Sequence, residues 1–191
     1  MDHVISGVAK FQKEVYPNKK ATFQKLATGQ NPEVLFITCS DSRIDPNLVT
    51  QTDPGELFIC RNAGNIVPPH SNQTGGMTAS IEFAVAALGV SHIVICGHTD
   101  CGAMKGAINP EGLSALPHVK EWLGHCRVAT EVVKERCGHS DLSIDDLEAV
   151  TKENVVQQIQ HLRTHPAVAA KIATGQVKLH GWVYNIGSGE V

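Results

Sequence analysis

Apolar positions recur along the chain at two different periods, and the switches between them predict alternating helices and strands. Val4, Ile5, Val8, Phe11 and Val15 fall at helical spacing and predict an amphipathic N-terminal helix. Pro17-Asn18 breaks it, and a second short helix is expected over Ala21 to Ala27. Val34-Leu35-Phe36-Ile37-Thr38 is a continuous apolar run between Asn31-Pro32 and the polar Cys39-Ser40-Asp41-Ser42, the pattern of a strand buried on both faces. Asp45-Pro46 reads as an N-cap followed by proline at the first helical position, opening a short helix to about Gln51.

Glu56 to Cys60 predicts a second strand, and a loop follows from Arg61 to Pro69. A small-residue helix runs from about Gly75 to Leu88 and stops at Gly89. His92 to Cys96 is the third strand, and the turn Gly97 to Gly102 leads into a short helix. Further helical stretches cover about 117–137, 143–160 and 165–174, and Val177 to Ile186 is a fourth strand. Strands alternating with helices imply an α/β fold with a central, mainly parallel sheet flanked by helices. A single domain over 1–191 is expected, with residues 1–28 as a helical arm.

Charge narrows the function classes. Sixteen Lys and Arg against nineteen Asp and Glu give a net charge of −3, so no basic excess points to nucleic acid. No apolar stretch approaches the roughly 20 residues of a membrane helix, and Met1 to Glu14 lacks the layout of a signal peptide. A soluble, cytoplasmic protein is the expectation. Ten His and six Cys are the compositional oddity.

Cys60 and Cys96 sit inside apolar runs and read as small buried hydrophobes, whereas Cys39, Cys101, Cys126 and Cys137 lie near turns or polar residues. No C-x-x-C pair is present, which removes thioredoxin-like redox chemistry and zinc ribbons. Cys39 to Arg43 is too short a span for a phosphatase loop, and Asp41 would repel a phosphate. His125-Cys126 and Cys137-Gly138-His139 lie about a helix's length apart in one helical stretch, a poor geometry for sharing one ion. Trp122 and Trp182 read as packing residues, and His70 as a surface-loop histidine. Gly75-Gly76 has neither a G-x-G-x-x-G context nor a P-loop lysine, so nucleotide binding is not expected.

Ligands of an open parallel sheet bind beyond the carboxyl ends of its strands. Two strands end there in chemistry-bearing groups: Cys39-Ser40-Asp41-Ser42-Arg43 and Gly97-His98-Thr99-Asp100-Cys101-Gly102. Together they offer two thiols and an imidazole, a set that borderline-soft Zn2+ prefers. Three protein ligands leave a fourth position open for hydroxide at neutral pH, the mark of a catalytic zinc. Asp41 and Arg43 are spaced to pair; Asp41 can then accept a hydrogen bond from that hydroxide or close onto the metal itself. Gly102, opening a helix, lets a backbone N–H approach an anion.

These segments, with Arg61-Asn62-Ala63-Gly64-Asn65 and His180-Gly181-Trp182-Val183-Tyr184, resemble the β-class carbonic anhydrases over nearly the whole chain. The resemblance implies one zinc on Cys39, His98 and Cys101, reversible hydration of CO2 to bicarbonate, and a homodimer or a dimer-based higher oligomer. It implies a catalytic dyad of Asp41 and Arg43 and a backbone donor at Gly102. Gln30 matches a substrate-pocket glutamine of the plant-like and cyanobacterial-like branch, and Phe58 an apolar pocket position contributed across the dimer interface.

Three departures follow from the same resemblance. Phe83 stands where the plant-like branch has a pocket tyrosine. Phe36, Arg61 and Tyr184 occupy positions that hold tryptophan, arginine and tyrosine where bicarbonate inhibits, so that regulatory site is expected to be absent or weakened. Family members also continue past Val191 into a further strand, so either this sequence stops short or this member lacks an edge strand, which bears on the sheet edge or the dimer contacts. Two rival readings remain at this point: a zinc-bearing scaffold or regulatory protein without turnover, and a CS2 or COS hydrolase on the same fold.

Overall fold

The computed structural model describes residues 1–72 and 74–191, which form two compact units, Met1–Asn31 and Pro32–Val191. The first unit is helical. Helix α1 spans Asp2–Lys10, the backbone continues in wider turns through Phe11–Val15, and helix α2 spans Lys20–Leu26. The first helical run stops at Val15, just ahead of Pro17, as the sequence position of the proline suggests. Tyr16 keeps right-handed helical angles, and Pro17 opens a single tight turn, where its missing N–H costs nothing. Lys19, with φ −112°, leaves the helical region before α2 begins. Phe11, Tyr16 and Phe23 cluster by their rings, while Val4, Ile5 and Val8 stay exposed.

In the second unit the elements run β1 (Val34–Cys39), α3 (Pro46–Thr50), β2 (Leu57–Asn62), α4 (Gly76–Glu82), β3 (His92–His98), α5 (Gly102–Ile108), α6 (Pro117–Leu123), α7 (Arg127–Cys137), α8 (Leu147–Thr164), α9 (Pro166–Ala173) and β4 (Lys178–Tyr184). The four strands form one parallel sheet in the order β2-β1-β3-β4, flanked by helices. Strand order reverses between β1 and β3, so the crevice at their carboxyl ends is the expected ligand position. No helix among the described residues is long and apolar enough to cross a membrane.

The continuous apolar runs of β1 and β3 are explained by burial on both faces. Leu35, Ile37, Ile93 and Ile95 pack with Ile81, Ala84, Val155 and Leu162. The alternate residues Phe36, Val94 and Cys96 form a second cluster with Ile44, against which Trp182 and Tyr184 pack. Register pairs Thr38 with Cys96 and Cys39 with Asn62, which sets the ends of β1, β2 and β3 side by side.

Local signals place the connections. The Asp45 carboxylate accepts from the amides of Asn47 and Leu48, and Pro46 occupies the first helical position of α3. Ser143 and Asp146 cap each other ahead of α8, and Gly138 ends α7 in the left-handed region at φ +69°. Helix α8 approaches the sheet closely because β4 carries Gly181 at the contact: a Cβ there would lie 2.9 Å from both Ile159 Cδ1 and Val155 Cγ1.

Gly181→Ala therefore overpacks the interface between α8 and β4 and lowers unfolding free energy by about 1–3 kcal/mol in chemical denaturation. Asp45→Ala, which removes one cap, lowers it by about 1 kcal/mol.

Candidate metal centre

Cys39 ends β1, His98 ends β3, and Cys101 follows one turn later as the N-cap of α5. Asp100 makes that turn by adopting φ +57°, a left-handed conformation that aspartate tolerates better than most residues. The sulfur, nitrogen and sulfur of the three residues lie within 4.8 Å of one another, and all three side chains are buried. The two sulfurs are 4.0 Å apart. A tetrahedral ion with sulfurs at about 2.3 Å spaces them about 3.8 Å apart, so the pair fits zinc without rearrangement.

His98 supplies the decisive test of fit. Its Nδ1 lies 2.9 Å from the Thr99 carbonyl, which fixes the tautomer and leaves Nε2 as an acceptor. Nε2 is fully buried and has no hydrogen-bond partner among the described residues. An imidazole nitrogen left this way among two thiols is a metal ligand in waiting. Burial lowers the His98 pKa, but the Cys39 side chain, the Thr99 carbonyl and the charges of Cys39 and Asp41 outweigh it, and the net shift is upward.

The two thiols share protons unequally. The Cys101 side chain, together with His98 and the Gly64 and Asp41 backbones, holds Cys39 down at about 4 against the opposing effect of burial. The Cys39 side chain and burial push Cys101 well up, while the amides of Ala103 and Met104 at the start of α5 favour its thiolate. By contrast, burial pushes Cys96 and Cys126 up to about 12, and it raises Cys60 too, in keeping with the packing role read for Cys60 and Cys96.

Asp41 and Arg43 meet at the rim. Arg43 donates from Nε to Asp41 Oδ1 at 2.9 Å and from Nη2 to Oδ2 at 2.7 Å, a two-pronged clamp that holds the carboxyl well below the usual range. Asp41 Oδ2 is 3.8 Å from His98 Nε2. Of the two arrangements open to Asp41 from the sequence, this structure has the one paired with arginine. Asp100 joins the clamp through Arg43 Nη1 at 2.9 Å and also pairs with Lys105.

Gly102 begins α5, and the space where its Cβ would stand is open to 4 Å. Phe58 and Phe83 lie together with ring centroids 6.1 Å apart, and Phe83 is half exposed. They do not reach the metal ligands of their own chain. Phe58 pairs with Leu35, four residues back from Cys39, or about 13 Å along the strand. Gln30 belongs to the N-terminal unit.

Several residues shape the site in ways not read from the sequence: Arg61 and Gly64, quoted there only within a motif, and Asn154 and Gln158, not singled out at all. Arg61 donates to the backbone carbonyls of Cys39, Asp41 and Ile44 at 2.7–2.9 Å and so fixes the path of the chain between ligand and dyad. Gly64, at φ +82°, turns its N–H to the Cys39 sulfur at 3.4 Å. Its carbonyl accepts from Asn154 on α8, whose own oxygen accepts from Gln158, and the Gln158 oxygen in turn accepts from the Val67 amide. A buried polar ladder on α8 thus holds the loop that presents a donor to Cys39. The four-residue spacing of Asn154 and Gln158 was the available signal.

A buried site of two cysteines and one histidine at the switch point of a parallel sheet, with an acid–arginine pair beside it, defines a zinc-binding α/β protein. The carbonic anhydrase family model matches residues 34–191. A carbonic anhydrase of Pseudomonas aeruginosa is 48% identical over all of this chain and 86% of its own length. The solved structure of the β-carbonic anhydrase CcaA is 41% identical, with a TM-score of 0.95 over 100% of this chain and 92% of that one. A structure from a study of two tetrameric β-carbonic anhydrases of Sordaria macrospora is 32% identical, with a TM-score of 0.84 over 99% and 93%. The chain belongs to the carbonic anhydrase family, in its β class.

Asn154→Ala frees the Gly64 loop and weakens zinc retention about tenfold in competition with a chelator, measured on folded protein.

Proposed function

We infer that the protein catalyses the reversible hydration of carbon dioxide to bicarbonate and a proton, with one zinc ion per chain as its cofactor. The observation that carries this reading is the convergence of Cys39, His98 and Cys101 around an otherwise partnerless imidazole nitrogen. When bound, zinc supplies a Lewis acid that lowers the pKa of a water to about 7 and makes a hydroxide nucleophile available near neutrality.

The rest falls to the chain. Cys39, His98 and Cys101 hold the ion and leave one position open. Asp41 accepts a hydrogen bond from the nucleophile and turns its lone pair toward the carbon of CO2. Arg43 keeps that carboxylate ionised and oriented, and both of its prongs favour the role. Gly102 offers its N–H to an oxygen of the product anion, which the open space beside it supports. The proton leaves to buffer.

Gln30, Phe58 and Phe83 are the residues we assign to substrate binding, with Phe58 contributed from across the interface of a homodimer or dimer-based oligomer. The distance of Phe58 from the metal ligands of its own chain and the exposed apolar side chains Val4, Ile5, Val8 and Phe83 support this assignment. A bicarbonate regulatory site is absent or weakened on this reading, which Phe36, without an N–H, and Arg61, committed to three carbonyls, support. We place the protein in the cytoplasm, in keeping with six free cysteines.

Stopped-flow CO2 hydration tests the reading. Cys39→Ser loses zinc and activity together, whereas Asp41→Asn retains zinc and lowers kcat about a hundredfold. The depressed pKa of Asp41 means that its contribution to stability is fully present above the unfolded value of about 3.9 and is lost only as pH falls through the folded value. The penalty of Asp41→Asn is therefore constant between about pH 6.5 and about pH 9. A zinc-loaded wild type without hydration anywhere in that range contradicts the proposal.

A further inference from the structure

A second group of metal-ligating side chains stands at the far end of α7. Cys137 is its last residue, Gly138 turns the chain at φ +69°, and His139 follows. That turn brings Cys137 and His139 to one side, where they face Asp146 at the start of α8. The sulfur, a ring nitrogen and a carboxylate oxygen lie within 4.8 Å of one another. His125 and Cys126 take no part, in agreement with the poor geometry expected for the two pairs, and Asp146 supplies the third donor instead.

We propose that Cys137, His139 and Asp146 form a second site for a borderline-soft divalent transition-metal cation, with Zn2+ as the reference ion. Thiolate, imidazole and carboxylate are each zinc ligands, and three of them leave room for water. The carboxylate is set in advance: Asp146 Oδ2 accepts from the Ser143 amide at 2.8 Å and its hydroxyl at 3.2 Å, and Oδ1 is directed to His139 Nδ1 at 3.2 Å. Those Ser143 contacts hold Asp146 ionised, as does the facing His139.

The surroundings favour a cation as well. The carbonyl end of the eleven-residue α7 carries partial negative charge. The neighbouring cations are engaged elsewhere, Lys134 with Glu131 at 3.7 Å and Arg136 with Glu153 at 3.1 Å. Cys137 is also the only exposed thiol of the six, so no other cysteine of the chain is placed to compete for it by pairing. On binding, the Cys137 sulfur exchanges its proton for the metal and releases it to solvent, while His139 binds through Nδ1 as the neutral Nε2–H tautomer. Nothing in this assignment depends on the reaction at the first site.

Zinc content of the purified, zinc-equilibrated protein decides the matter. The two clusters predict two zinc ions per chain in the wild type and one in Cys137→Ser and in His139→Ala. One ion in the wild type, or two that survive both substitutions, overturns the proposal. Should a variant fail to fold, the wild type alone suffices, because zinc beyond the first equivalent slows alkylation of Cys137 about tenfold at ten times the dissociation constant. Alkylation indifferent to zinc overturns the proposal equally.

Discussion

Two thiolates 4.0 Å apart in a buried site repel each other unless something positive stands between or around them. That constraint organises the upper half of the molecule. The Gly64 N–H and the first amides of α5 point their positive ends at sulfur. Even so, without a cation the pair settles on unequal protonation, with Cys39 driven toward thiolate and Cys101 away from it. Zinc removes the conflict outright, and the donors that partly relieve it in the protein alone are the same groups that orient the ligands around the ion.

The sheet delivers this arrangement because β1 and β3 are neighbours although 58 residues separate Thr38 from its partner Cys96. A parallel pair needs a long crossover, and here the crossover contains β2, which pairs on the other side of β1. The reversal of strand order opens the crevice that the ligands occupy. Arg61 then closes it from β2 by gathering three carbonyls of the loop between Cys39 and Ile44. One guanidinium with five donors does what several side-chain caps would otherwise be needed for.

Much of this was legible in the residues. Uninterrupted apolar runs gave β1 and β3, their polar ends gave Cys39, His98 and Cys101, and Asp45-Pro46 marked α3. The clamp of Asp41 by Arg43 followed from their spacing. What stayed hidden were groups whose role depends on tertiary placement. Asn154 and Gln158 sit four residues apart on α8, which reads equally well as a solvated helix face; only the docking of that face under the Gly64 loop makes them structural. Arg61 stood out only as part of a motif, and its bracing of the loop stayed hidden because its targets are carbonyls and carry no sequence signature. Asp146 was missed beside Cys137 and His139 because its carboxylate is brought there by the turn between α7 and α8, not by proximity in the chain.

The helical face of the sheet shows a second kind of economy. Gly181 contributes nothing but the absence of a side chain, yet that absence lets Val155 and Ile159 descend onto β4. Because Asn154 precedes Val155 on the same helix, the depth at which α8 seats against the sheet also sets how far its amide reaches toward Gly64. Packing and coordination are therefore mechanically geared. A change of volume at β4, remote from any reacting atom, would be transmitted as a displacement of the loop that greets the Cys39 sulfur. The glycine works as a spacer of zero thickness, and the tolerance of the metal pocket is machined on the neighbouring face of the same helix turn.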